Sequence, residues 1–143
     1  MIVVSDTTPL ISLLKVGHLD LLDKYFGEVQ IPQAVFDELT SNKRFTLEAE
    51  EIRNCPYIRV VQIEDDKSVD IIRRVTGLDL GESEAIILTD NLHADLLLMD
   101  EAKGRSVAEQ MGLKIMGTIG LLLASYRNGH ISADEIKECV DIL

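Results

Sequence analysis

The run Leu96-Leu97-Leu98-Met99 is apolar at four successive positions and ends in Asp100. A strand with one wet face alternates apolar and polar residues. An unbroken apolar run therefore belongs to a strand covered on both faces, as in the centre of a parallel sheet. Ile2-Val3-Val4 repeats the pattern and leads, through Ser5, to Asp6. Each run carries a carboxylate to the edge of the sheet, where open α/β folds bind their ligands.

Strand-like runs are expected at about residues 2–5, 57–63, 95–99 and 113–116, with a shorter one at 29–31. Helical patterns lie between them. Pro9 suits the first turn of a helix through Leu14, with Thr7 or Thr8 as cap, and Pro32 is expected to open a second, carrying Val35, Phe36 and Leu39 inward. Asp65 starts a polar helix ending near Gly77, and Asp79-Leu-Gly-Glu82 reads as a capping box for the helix through Leu92. A helix over 101–111 closes at Gly112, another runs from Thr118 to Tyr126, and Ser132-Ala-Asp-Glu135 caps the last. Strands alternating with helices imply parallel strands joined by right-handed crossovers, with helices on both faces of the sheet. Ser41 to Thr46, polar and poor in apolar residues, reads as a mobile connection.

Four acids stand at strand ends or helix starts: Asp6, Glu38 in IPQAVFDEL, Glu82 in LDLGESEAI, and Asp100. Carboxylates converging on one spot repel each other unless a cation neutralises them, so a divalent-metal site performing phosphodiester hydrolysis is the useful reading. Each acid also has a plainer role. Asp6 could form an Asx turn or cap a helix, Glu38 could lie on a helix surface, Glu82 could serve only the capping box, and Asp100 could cap the following helix. Glu84 competes with Glu82, but at roughly 100° per residue the two point about 200° apart, so only one can face the site. Glu101 follows Asp100 as an additional ligand candidate.

A chain of 143 residues, 46% hydrophobic and 27% charged, is expected to form one domain with a real core. Its net charge of −11 argues against loose, charge-driven nucleic-acid binding but leaves room for an enzyme that meets phosphates through metals and a local basic patch. Lys43-Arg44, Arg73-Arg74 and Lys103/Arg105 are the candidate patches, the first two reading mainly as solvated surface. No apolar run approaches a membrane span, no secretory signal is apparent, and Cys55 and Cys139 form no ligand spacing, so a reducing cytoplasm is expected. His18, His93 and His130 lack paired zinc-ligand spacing, and there is no glycine-rich phosphate loop, GxSxG elbow or Cys/His nucleophile pattern.

The segments VVSDTTPLISL, IPQAVFDEL, LDLGESEAI and LLLMDEAKGRSVAEQMGLKIMGTIGLLL resemble the PIN domain, within a branch of prokaryotic PIN-like proteins of largely unassigned function. The likeness runs from residue 1 to about residue 130, and Asp100 through Gly-Thr-Ile-Gly at 117–120 is its most specific part. The resemblance implies a three-layer α/β/α domain over 1–143, with a parallel sheet of four to five strands, and an acidic pocket for Mg²⁺ or Mn²⁺ that cleaves single-stranded RNA. Carried over by motif, Asp6 is the first-strand acid, Glu38 the glutamate after the second strand, and Asp100 the acid after the fourth. Glu82 stands where PIN domains usually have aspartate, and this exchange is the chief departure. Asp6 and Asp100 are expected to bind metal most directly, with Glu38 and Glu82 completing the cluster. Thr7 and Thr118 are candidate hydroxyl partners of the acids or of substrate, while Lys103 and Arg105 could hold substrate phosphates.

Three functions compete. One is an endoribonuclease resembling VapC-type toxins, neutralised by a small antitoxin-like protein. A second is a catalytically silent module that binds protein or nucleic acid, and a third is a phosphatase or DNA-directed nuclease. Leu121-Leu122-Leu123 and Tyr126 suggest a homodimer surface, since PIN domains commonly pair, though core packing explains the same leucines.

Overall fold

The computed structural model describes residues 1–41 and 43–143. Its elements run β1 (Val3–Ser5), α1 (Thr7–Val16), α2 (Leu21–Phe26), β2 (Val29–Pro32), α3 (Gln33–Ser41), a 3₁₀ turn (Lys43–Phe45), α4 (Thr46–Arg53) and β3 (Ile58–Val61). They continue through α5 (Asp66–Thr76), α6 (Leu80–Asn91), β4 (Leu96–Leu98), α7 (Ala102–Gln110), β5 (Ile115–Met116), α8 (Thr118–Arg127) and α9 (Ala133–Ile142). The sheet is five-stranded and parallel, in the order β3-β2-β1-β4-β5.

The apolar runs lack alternation because each strand feeds two cores. Val3, Leu96 and Leu98 point into one, closed by side chains of α1, α2, α3, α4, α8 and α9. Val4, Leu97 and Met99 point into the other, closed mainly by Ala85, Ile86 and Leu88 of α6 and Ala108 of α7. The result is three layers, helix on sheet on helix.

The chain leaves β1 for β2 and β3 on one side, then returns through α5 and α6 to β4 on the other. The carboxyl ends of β1 and β4 thus border the crevice where the winding reverses. Ser5 pairs with Leu98, and the Asp6 N–H donates to the Leu98 carbonyl at 2.9 Å, so Asp6 and Asp100 leave adjacent strands at that crevice.

Several expectations shift. Pro32 ends β2, in register with Val61, and α3 begins one residue later. Proline has no N–H to donate and suits a strand's end as well as a helix's start. Asp6, rather than Thr7 or Thr8, is the cap residue of α1. The expected mobile connection holds the 3₁₀ turn and the start of α4, and position 42 within it lies outside the described residues. The boxes Asp79/Glu82 and Ser132/Glu135 form with both reciprocal hydrogen bonds. On α8, Leu121 and Leu122 are core, whereas Ile119, Leu123 and Tyr126 are exposed along one side. Among the described residues, no helix is long and apolar enough to cross a membrane.

Candidate active site

Asp6 is 3% exposed although it carries a carboxylate, and it makes no side-chain cap hydrogen bond to α1. Burial pushes its pKa up to about 7. The Thr7 N–H opposes that rise, while the negative charges of Glu82, Asp79 and Glu38 add to it. Three acids from α3 and α6 therefore act on the acid that follows β1.

Glu38, exposed on α3, is held at Oε2 by the Thr7 hydroxyl at 2.7 Å. Gly81 leaves it room, since a Cβ there would stand 3.1 Å from Glu38 Oε2 and 3.7 Å from Asp79 Oδ1. Glu82 is half-buried, and its Oε1 accepts from the Asp79 N–H at 3.2 Å. Its Oε2 faces Gly104, where an added Cβ would come within 3.2 Å. Burial, then the charges of Asp79 and Glu101, raise the Glu82 pKa. Glu84 does a different job. Its Oε1 accepts from the Ala34 N–H at 3.1 Å, in the first turn of α3, where a carboxylate favours the helix dipole.

Asp100 does not cap α7, whose cap residue is Glu101. It serves the start of α8 instead: Oδ1 accepts from the Thr118 N–H at 2.7 Å and Oδ2 from the Thr118 hydroxyl at 2.6 Å. Thr7 and Thr118 thus each open a helix and hold one of the predicted acids. Glu101 is exposed beside this group and is felt by Glu82.

The basic residues divide. Lys103 is exposed, with Nζ 3.1 Å from where a Cβ on Gly77 would lie. Arg105 is half-buried and turns back to donate from Nη1 to the Met99 carbonyl at 3.3 Å. Arg74 is ion-paired with Asp70 at 2.7 Å, as a solvated helix face would have it. Asp79, a cap residue in the sequence pattern, also bears by its charge on both Asp6 and Glu82. The signal was present in the capping box itself, because a box that opens at a sheet edge places two carboxylates there.

Among the described residues, no three His, Cys, Asp or Glu side chains form a ready-made metal-ligand group. The donors are nonetheless hard carboxylate oxygens of the kind Mg²⁺ and Mn²⁺ take. Burial first, and then the neighbouring carboxylates, raise the affinity of Asp6 for a proton, and a bound cation would favour its ionised form against both. The residues fit a divalent ion in chemistry, with side-chain adjustment left to close the ligand group.

No curated protein matches the chain in sequence. The family model DUF3368, described as a PIN domain, matches residues 2–143. The chain therefore belongs to this PIN-domain family, and PIN domains are generally nucleases that use divalent metal ions.

Proposed function

We propose that this protein is a metal-dependent endoribonuclease that cleaves phosphodiesters of single-stranded RNA. The observation that carries the reading is Asp6, a carboxylate buried at the sheet's reversal point and crowded by Glu82, Asp79 and Glu38. Asp6 and Asp100 bind Mg²⁺ or Mn²⁺ most directly, Glu38 and Glu82 complete the ligand group, and Glu101 stands beside them. A divalent ion there would polarise the scissile phosphate and lower the pKa of an attacking water. Thr7 and Thr118 orient Glu38 and Asp100, so two of the acids are aimed before any ligand arrives. Lys103, exposed one turn past Asp100, is available to a substrate phosphate.

As a toxin-like nuclease it is neutralised in the cytoplasm by a small partner protein covering the acidic mouth. Ile119, Leu123 and Tyr126, exposed along α8, suit a homodimer contact. A second reading, a silent binding module, draws on the structural work these acids already do. Glu82 closes a capping box and Asp100 anchors α8.

Incubation of the protein with mixed single-stranded RNA and Mn²⁺ or Mg²⁺, beside EDTA and Asp6→Asn controls, tests the first reading. Cleavage lost in both controls supports it. Uncut RNA together with no heat of metal binding favours the module.

A further inference from the structure

Arg105 points inward, toward Asp100. A Cβ built on Gly117 would stand 2.7 Å from Arg105 Nη1 and 3.0 Å from Asp100 Oδ1, so guanidinium and carboxylate flank the same point above the Gly117 Cα. Gly117 has φ −88 and ψ 173, a backbone any residue can adopt. Glycine's conformational freedom is therefore not what the position uses; the room a side chain would take there is occupied by the tips of Arg105 and Asp100. A guanidinium offers five N–H donors. The one hydrogen bond that the Arg105 side chain makes among the described residues is to the neutral Met99 carbonyl. Its seat beside Asp100 is accordingly favoured by charge, which a half-buried site screens less than open water does.

Resting on the reading of the acidic cluster as a divalent-metal site, we propose that Arg105 is a built-in counter-cation of Asp100. Its guanidinium lies near that carboxylate without a direct ion pair in the metal-free protein, and its charge weakens, and so tunes, divalent-ion binding. Thr118 holds Asp100 through two hydrogen bonds and Arg105 steadies it electrostatically, so the acid keeps its place without a metal. Arginine stays charged at every working pH, so the tuning is constant rather than a pH switch. Arg105 is a positioning residue here. The alternative, a direct grip on substrate phosphate, makes a different forecast.

Calorimetric titration of Mn²⁺ into the whole chain reads the difference. Arg105→Gln is expected to bind Mn²⁺ about three- to ten-fold tighter than wild type. Arg105→Lys, which keeps the charge, should stay within about two-fold of wild type. Equal or weaker binding by Arg105→Gln overturns the proposal, and a raised KM for RNA in that variant would assign Arg105 to the substrate. Urea melts in EDTA give a second readout that needs no metal. The losses from Arg105→Gln and Asp100→Asn should be non-additive, with the double variant losing less than the two singles together; strictly additive losses overturn the pairing. If neither wild type nor Arg105→Gln binds Mn²⁺, the metal reading falls and the tuning with it, while the melts still decide whether Arg105 serves Asp100.

Discussion

Thr7 donates its hydroxyl to Glu38 Oε2 at 2.7 Å, joining the first turn of α1 to α3 across 31 residues of sequence. Thr7 directly follows Asp6, so this bond fixes the α3 acid relative to the β1 acid. Glu38 is exposed, and water can replace part of what the hydroxyl supplies. Thr7→Val is therefore expected to lose only about 1 kcal/mol in urea melts. Its Mn²⁺-dependent cleavage should fall further, by roughly ten-fold or more, because a displaced ligand costs reactive geometry. Thr7→Ser should retain both. Equal cleavage by the valine and serine variants would remove Glu38's orientation from the account.

How legible each feature was in the sequence follows from how local its cause is. The capping boxes at Asp79 and Ser132 span three residues, and both form as their sequences foretell. The parallel sheet was legible because Leu96 through Met99 feed two cores in alternation, leaving no polar face to break the run. Helix α2 escaped notice because six residues show too little of a helical stripe. Helix α4 buries only Ala49 and Ile52, and its own Leu47 is 84% exposed. At the site, residue types at strand ends were readable, but partners were not. Asp100 could equally have capped α7; only the register of β4 with β5 brings Thr118 to it. Arg105's inward turn depends on a side chain that Gly117 lacks, which no spacing rule reveals.

Asp6 makes the metal-free protein sensitive to pH. Its folded pKa, about 7, lies above its ordinary value of 3.8, so between those values the folded chain holds more protons than the unfolded one. Stability must then fall as pH rises through that window, by up to the order of 4 kcal/mol for this group alone. Asp6→Asn removes the titrating charge and should melt above wild type at pH 8 in EDTA, with the advantage shrinking toward pH 4. Metal should reverse the trend, since an ion binds the ionised form. Mn²⁺ affinity is expected to rise with pH up to about 7, with proton release on binding. Parallel urea melts of both proteins in EDTA at pH 5 and 8 check the sign. A wild type more stable at pH 8 than at pH 5, with Asp6→Asn showing no such rise, would contradict it.

Glu82 and Glu84 separate by single substitution. Glutamine at 82 can still accept from the Asp79 N–H and keep the capping box, while losing the charge felt by Asp6. Glu82→Gln should therefore hold wild-type stability within about 0.5 kcal/mol and lose most Mn²⁺-dependent cleavage. Glu84 binds the Ala34 N–H at the positive end of α3. Glu84→Gln should cost about 0.5–1 kcal/mol and leave cleavage within a few-fold of wild type. Reversed effects on cleavage would move the third acid to Glu84.

Gly104 carries the last prediction, because two effects of opposite sign meet there. Alanine for glycine inside α7 favours the helix by about 1 kcal/mol. Against that, a Cβ at 104 would lie 2.6 Å from Met99 Sδ and 3.2 Å from Glu82 Oε2. Met99 is fully buried, and although its thioether is adaptable, it has core neighbours on every side. Overpacking of this kind costs about 1–3 kcal/mol, so it should outweigh the propensity gain and leave Gly104→Ala less stable by roughly 1 kcal/mol. The same displacement presses on Glu82, so Mn²⁺ binding should weaken as well. Shortening the colliding side chain separates the two effects. Met99→Val combined with Gly104→Ala should recover stability relative to the sum of the single losses, as residues in contact do. A Gly104→Ala protein melting at or above wild type would mean that Met99 yields freely and that α7 approaches β4 less tightly than these distances require.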